Sequence, residues 1–140
     1  MRILFVDDEP ENVSFVTNTL VSALDAEVVL ATTVDEGITE LHGEPFDLVV
    51  TDVFLPITDI AALGPRARLP DGQEHLGGLV LLDEIDRLEP RPKVLVHTAC
   101  NEHAMVVVLQ QHNSYRVPKP APADVLLRAV LEALDLPTPQ

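Results

Sequence analysis

Four short apolar runs, each followed by a polar residue, constrain the fold of this 140-residue chain more than any other feature. The polar residues that end the runs are, in chain order, Asp7-Asp8, Asp52, Thr98 and Lys119. Short continuous apolar runs are typical of strands buried on both faces of a parallel sheet. The carboxyl ends of parallel strands meet at one edge, where open α/β sheets bind their ligands. The sequence therefore predicts three carboxylates, a hydroxyl and an ammonium around one site.

Helical patterns separate the apolar runs, so strands and helices alternate along the chain. The first helix is predicted to have its N-cap at Asp8 and Pro10 in its first turn. The predicted strands cover 3–6, 27–31, 48–52, 93–98 and 115–117, and the helical patterns cover 13–24, 34–42, 79–88, 101–111 and 122–134. Five such units with right-handed crossovers predict a flavodoxin-like (βα)5 fold, an α/β protein with a doubly wound parallel five-stranded sheet in the order 2-1-3-4-5.

The length and composition predict one globular domain. Apolar residues make up 46% of the chain and aromatic residues only 4%, so Leu, Val, Ile and Ala must fill the interior. We expect a single domain over residues 1–136, followed by a short tail at 137–140. The region 56–78 interrupts the alternation, because its Pro and Gly residues break both helix and strand patterns.

The net charge of −14, from 23 acidic and 9 basic residues, limits the classes of partner. A surface of this sign repels nucleic-acid phosphate, so direct binding of DNA or RNA is not expected. The single cysteine, Cys100, cannot form an internal disulfide and fits a reducing compartment. No apolar run approaches the roughly 20 residues that span a bilayer, so membrane insertion is not expected. We expect a cytoplasmic protein.

Four motifs along the chain resemble those of the receiver domain of bacterial two-component response regulators, the CheY-like family. The motifs are Val6-Asp7-Asp8-Glu9-Pro10, Asp47-Leu48-Val49-Val50-Thr51-Asp52 followed by Leu55-Pro56, His97-Thr98-Ala99, and Lys119-Pro120. Each motif is weak alone, but the four occur in the family's order and each ends a predicted strand. The resemblance covers nearly the whole chain apart from residues 57–78, and it implies a stand-alone receiver domain.

The resemblance implies a role for each residue of the predicted site. Asp52 would be the phosphoacceptor. Asp8 and Asp52 would bind Mg²⁺ directly, Asp7 would bind it through water, and the backbone carbonyl of Phe54 would be a further metal ligand. Thr98 and Lys119 would bind phosphoryl oxygens. This set is chemically coherent, because carboxylate oxygens suit a hard divalent cation. The cation and the Lys119 ammonium would together screen the repulsion between a carboxylate nucleophile and a phosphoryl group.

The resemblance also implies partners and a mode of action. A sensor histidine kinase or a phosphotransfer protein would supply the phosphoryl group, and a downstream protein would bind the modified domain. The protein would be a switch that promotes its own phosphorylation and dephosphorylation, and not a multiple-turnover enzyme. Its output surface would comprise the fourth helix, the fifth strand and the fifth helix, and a homodimer is left open.

Two departures from the family pattern concern how phosphorylation of the domain would be transmitted to a partner. Residues 57–77 form a predicted insertion between the third strand and the third helix, which is either a tolerated surface loop or a docking element near the site. The position three residues before Lys119, where the family has an aromatic residue, is Arg116. Either a bulge at Pro118 restores Tyr115 to that place, or the usual coupling to the aromatic residue is altered.

A third departure concerns the lifetime of the modified state. Phe54 stands two residues after Asp52, at a position that governs the access of water in the family. A bulky apolar side chain there predicts slow hydrolysis and a long-lived phosphoryl group.

Two functions of other classes compete with the phosphoacceptor switch. A receiver-like interaction module would act without phosphorylation, through the 57–77 insertion. A phosphohydrolase with an aspartyl nucleophile, as in haloacid-dehalogenase relatives, would need a second Asp two residues after Asp52. Phe54 occupies that position, so the hydrolase ranks lowest.

Overall fold

The computed structural model describes residues 1–52, 77–98, 115–118 and 122–136. Within these residues, five parallel strands form one sheet in the order β2-β1-β3-β4-β5. The strands are β1 (Arg2–Val6), β2 (Glu27–Ala31), β3 (Leu48–Thr51), β4 (Lys93–Thr98) and β5 (Tyr115–Pro118), and the α-helices are α1 (Ser14–Leu24), α2 (Val34–Leu41), α3 (Gly77–Asp86) and α4 (Ala123–Ala133). The strand order and the parallel pairing confirm the predicted flavodoxin-like architecture.

The apolar runs divide their side chains between the two faces of the sheet. In β1, Ile3 and Phe5 pack with the core under α1 and α4, whereas Leu4 and Val6 pack with the core under α2 and α3. This division follows from the alternation of side chains along a strand. All four side chains are buried, which explains why the central strands carry no polar face.

The segment that enters α1 differs from the prediction. A 3-10 helix at Pro10–Val13 precedes α1, with Pro10 in its first turn as predicted. The predicted N-cap at Asp8 is wrong, because Glu9 precedes the 3-10 helix and makes no side-chain capping bond. Instead, the Asp7 carboxylate accepts the backbone N–H of Glu9 at 2.9 Å. A side-chain turn of this kind bends the chain just after β1 and leaves the Asp8 side chain out of the helix start.

Helix α2 lies close against the sheet because of a glycine. A Cβ atom at Gly37 would stand 3.2 Å from Cδ1 of Leu81 in α3 and 3.4 Å from Cγ2 of Val6 in β1. Thr33 caps the helix by accepting the N–H of Glu36 at 3.3 Å. The bare Gly37 position therefore lets α2 approach β1 and α3 together.

The region after β3 is described only from α3 onward. Helix α3 begins at Gly77, so the last residue of the predicted 57–77 insertion belongs to the helix. The remainder of that insertion, the predicted helix at 101–111 and the tail at 137–140 lie outside the described residues, and the single-domain assignment stays a prediction. No helix in the described ranges is long and apolar enough to cross a membrane.

Candidate metal centre

The hydrogen bonding of the sheet brings the ends of β1 and β3 side by side. Val6 of β1 pairs with Thr51 of β3, so the residues that follow them, Asp7 and Asp52, leave the sheet at the same level. The N–H of Asp52 donates to the carbonyl of Val6 at 3.1 Å, and the N–H of Asp7 donates to the carbonyl of Ala31 at 3.0 Å. Both backbones are therefore held by neighbouring strands just beyond the strand ends.

Three carboxylates converge at this edge, as the apolar runs predict. One oxygen from each of Asp7, Asp8 and Asp52 lies within 4.8 Å of the other two. Asp7 and Asp52 are each only 5% exposed, whereas Asp8 is exposed to solvent. The cluster therefore consists of two buried carboxylates, Asp7 and Asp52, and one carboxylate, Asp8, that is open to solvent.

The geometry of the carboxylates fits a small divalent cation. Oxygen ligands on opposite sides of Mg²⁺, each at about 2.1 Å, stand about 4.2 Å apart. Carboxylate oxygens within 4.8 Å of one another are therefore close enough to approach one such ion together. Three oxygen donors from Asp side chains are also the chemistry that Mg²⁺ prefers.

The electrostatics of the cluster also favour a cation. Partial burial raises the pKa of the Asp8 carboxyl above its ordinary value of 3.8, and the neighbouring charges of Asp7 and Asp52 raise it further. Burial and the two neighbouring negative charges therefore both disfavour the ionised form of Asp8. A bound divalent cation would remove that repulsion, because it supplies the opposite charge at the centre of the cluster.

Thr51 is a residue of the site that sequence reasoning missed. Its hydroxyl donates to the backbone carbonyl of Asp52 at 3.0 Å, and its side chain is almost fully buried. This bond orients the peptide group that follows the central carboxylate. The available signal was a hydroxyl residue at the last position of an apolar run, immediately before Asp52.

The remaining predicted site residues are only partly described. Thr98 is the last residue of β4, as predicted, which places its backbone at the same edge of the sheet. Lys119 directly follows β5 but lies outside the described residues, as does Phe54. His97, which precedes Thr98 in the same motif, is buried in β4.

The pairing of β5 bears on the two alternatives for residue 115. Residues 115–118 pair one-to-one with residues 95–98, with Tyr115 beside Leu95 and Arg116 beside Val96. This register is regular within residues 115–118, whereas Lys119, from which the position of the aromatic residue is counted, lies outside the described residues. A restored Tyr115 and an altered coupling at position 116 therefore both stay predictions.

Comparisons with solved structures agree with this architecture. A CheY-like response regulator receiver domain protein from Methanospirillum hungatei JF-1 has a TM-score of 0.72 and 25% identity, over 96% of this chain and 93% of that chain. The non-phosphorylated HemR receiver domain from Leptospira biflexa has a TM-score of 0.72 and 24% identity, over 99% and 98% of the two chains. A two-component response regulator from Clostridium difficile has a TM-score of 0.69 and 18% identity, over 96% of each chain.

The sequence comparisons, unlike the structural ones, found no match. No family model matches the chain, and no curated protein matches it either. The fold and the acidic edge define a doubly wound α/β protein with a carboxylate cluster at the carboxyl ends of its strands. More narrowly, the chain has the CheY-like response regulator receiver fold over nearly its whole length, which confirms the resemblance drawn from the four motifs.

Proposed function

We propose that the protein is a Mg²⁺-dependent phosphoacceptor switch in which Asp52 accepts a phosphoryl group from a phosphohistidine. The observation that carries this proposal is the convergence of Asp7, Asp8 and Asp52 at the carboxyl ends of two adjacent central strands. A structural role explains it poorly, because clustered carboxylates oppose one another's ionisation.

The proposed reaction is an in-line transfer. An oxygen of the Asp52 carboxylate attacks phosphorus, the bond between phosphorus and the donor nitrogen breaks, and the leaving imidazole takes its electron pair and then a proton from solvent. A divalent cation would offset the negative charge that the carboxylate and the phosphoryl oxygens bring together. Asp8 and Asp52 would hold it directly, and Asp7 would hold it through water.

The buried position of Asp52 supports its assignment as the nucleophile. Its backbone is held by the bond to Val6 and by the Thr51 hydroxyl, so the point from which the carboxylate projects is fixed before transfer. We further propose that Thr98 and Lys119 bind phosphoryl oxygens and that the Phe54 carbonyl completes the metal ligands. The slow hydrolysis expected from the Phe54 side chain remains part of this proposal.

The proposed biology follows from the class of donor. A sensor histidine kinase or phosphotransfer protein in the cytoplasm would be the upstream partner, and a downstream protein or a second copy would bind the modified form. The domain would act as a signalling switch and would not turn over repeatedly.

One experiment tests the chemistry. The protein is incubated with Mg²⁺ and acetyl phosphate, and its intact mass is measured beside an Asp52→Asn variant and a sample containing a chelator. We expect a single phosphoryl adduct in the parent, and none in the variant or in the chelated sample. An adduct that persists in Asp52→Asn would place the modification elsewhere and contradict the proposal.

The other outcomes separate the competing functions. Absence of both adduct and Mg²⁺ binding would favour the interaction module acting through residues 57–77. Continuous release of phosphate from an ester substrate would favour a hydrolase. A Phe54→Asn variant that loses its phosphoryl group no faster than the parent would contradict the proposed water exclusion.

A further inference from the structure

The edge of the sheet at β2 carries backbone groups that the proposed switch does not use. Within the described residues, β2 pairs with β1 alone. The N–H of Glu27 donates to the carbonyl of Met1 at 2.8 Å, and the carbonyl of Ala31 likewise accepts a bond from the β1 side. Successive residues of a strand direct their backbone groups to opposite sides, so those of Val28 and Leu30 point away from β1. They present two donors and two acceptors to an added strand.

Exposed apolar side chains occur on β2 and on the helix that packs against it. Leu30 is 49% exposed and lies on the same face as Val28, which packs against the core under α1. Helix α1 packs against β2, and its second half exposes Val21 and Leu24. We call Val21, Leu24 and Leu30 the edge patch. Natural edge strands usually carry charges or proline that block pairing, whereas β2 has a charge only at its first residue, Glu27, and neither feature at positions 28–31.

The charge around the edge patch is mostly negative, although Arg2 of β1 lies 3.0 Å from the Glu27 carboxylate. Residues 3–52 contain twelve of the 23 acidic residues and none of the nine basic residues of the chain. Exposed Asp25 and Glu27 stand at the amino end of β2, and Asp35 and Glu36 begin the helix that follows it. A ligand that fits both the apolar patch and its surroundings must therefore carry positive charge.

We propose that the open edge of β2, together with the edge patch, binds an extended segment of a partner protein in which apolar residues alternate with Lys or Arg. The segment would pair with the outward backbone groups of Val28 and Leu30 as an added strand. Its apolar side chains would cover the edge patch, and its cationic side chains would face Asp25 and the exposed Glu27 carboxylate, which also contacts Arg2. A second copy of the chain fits this edge less well, because each copy carries the same −14 charge.

A pair of synthetic peptides tests the proposal on the full chain. One capped peptide alternates Lys and Val, and its matched control alternates Glu and Val. Binding is followed through the amide signals of isotope-labelled protein with Mg²⁺ present, so that the carboxylate cluster does not attract the cationic peptide. We expect the Lys peptide to shift signals between residues 21 and 31 with an affinity that falls as salt rises, and the Glu peptide to cause no shifts.

Substitutions at position 30 separate backbone pairing from surface charge. Leu30→Pro removes an outward N–H without removing a hydrogen bond to β1, and proline is tolerated at such edge positions. We expect it to weaken binding of the Lys peptide by about fivefold to tenfold, as for loss of one hydrogen bond. Leu30→Lys should weaken binding at least as much through charge repulsion, whereas Leu30→Val should bind like the parent. Leu30→Lys also tests the proposal if Leu30→Pro does not fold.

Three results would overturn the proposal. Equal binding of the Glu peptide would remove the charge argument, and shifts confined to residues outside 21–31 would remove the site. A dimer of the free protein that Leu30→Lys dissociates would assign the edge to a second copy instead. Retention of full affinity in both Leu30→Pro and Leu30→Lys would equally exclude strand addition.

Discussion

The two ends of the sheet differ in how their charged side chains are arranged. At the amino end, Arg2 lies 3.0 Å from the Glu27 carboxylate, donates to the Glu44 carbonyl at 2.7 Å and stacks over the Phe46 ring at 4.3 Å. Lys93 likewise pairs with a carboxylate at 2.9 Å at this end. At the carboxyl end, three carboxylates crowd together and the pKa of one of them is raised.

This difference shows which end supports the fold and which end is left for chemistry. The contacts of Arg2 join β1, β2 and the segment that leads into β3, so they tie the starts of three adjacent strands. The carboxylates at the other end gain little from folding without a cation, because like charges oppose one another. We therefore expect substitutions at the amino end to change stability, and substitutions at the carboxyl end to change reactivity.

The largest expected contrast is in phosphoryl transfer. Asp52→Asn should abolish the acetyl phosphate adduct completely, because an amide cannot replace the carboxylate nucleophile, whereas Arg2→Ala should retain the parent extent of modification. Intact mass under native conditions measures both. Loss of the adduct in a folded Arg2→Ala variant would show that the two ends are coupled.

The next contrast is in stability. Arg2→Ala should lower the free energy of unfolding by about 2 kcal/mol, because the stacking on Phe46, the ion pairs and the packing of the side-chain stem are lost together. Arg2→Lys is the matched control and should recover only part of this, since an ammonium lacks the guanidinium fork. Urea unfolding gives both values. If Asp52→Asn lowered the free energy of unfolding as much as Arg2→Ala does, the carboxyl end would support the fold as strongly as the amino end, contrary to our expectation.

A smaller effect of opposite sign is expected at Asp8. Because the pKa of folded Asp8 lies above its ordinary value of 3.8, its ionisation penalises the folded state at neutral pH. Asp8→Asn should therefore be more stable than the parent at pH 7 without Mg²⁺. The advantage should shrink as the pH falls through the raised pKa and should be gone below the ordinary value.

Mg²⁺ provides the control for this prediction. Saturating Mg²⁺ should stabilise the parent more than Asp8→Asn and so remove the advantage of the variant. The reason is that the cation neutralises the negative charge that the substitution otherwise removes. Thermal unfolding with and without a chelator measures the difference. An advantage that is independent of both pH and Mg²⁺ would show that repulsion at the cluster is not its cause.

The smallest effect is expected at Lys93. Its partner Asp135 is 86% exposed, so the ion pair is screened by solvent. Lys93→Gln should change the free energy of unfolding by less than about 0.5 kcal/mol, and added salt should remove even that difference. A loss approaching that of Arg2→Ala would mean that exposed pairs at this end stabilise the fold as strongly as the buried stacking does.

The fold could be predicted because each central strand is a short apolar run with a clear end. The bounds of β2 and β4 agree with the prediction at both ends, and Asp7 and Asp52 meet because their strands are neighbours. The start of α1 could not be predicted in the same way. A carboxylate before a helix can cap it or close a turn, and the local pattern at Asp8 favours neither.

Long-range contacts explain what else the sequence could not reveal. The side chain of Arg2 finds its partners 25 and 42 residues along the chain, and no local spacing indicates that meeting. The sequence also does not show that β2 has an open edge, because an apolar run has the same pattern in a central strand and in an edge strand. The register of Arg116 depends on the pairing of β5 with β4, which only the structure supplies.

The hydrogen bonds at Asp7 and Asp52 set a limit on motion. Both amides lie past the ends of their strands yet donate to carbonyls of neighbouring strands, so their exchange with solvent should be slow. The centre of the site would then move only if the sheet itself opened. A change of shape that follows modification would therefore leave the backbone at Asp7 and Asp52 nearly stationary.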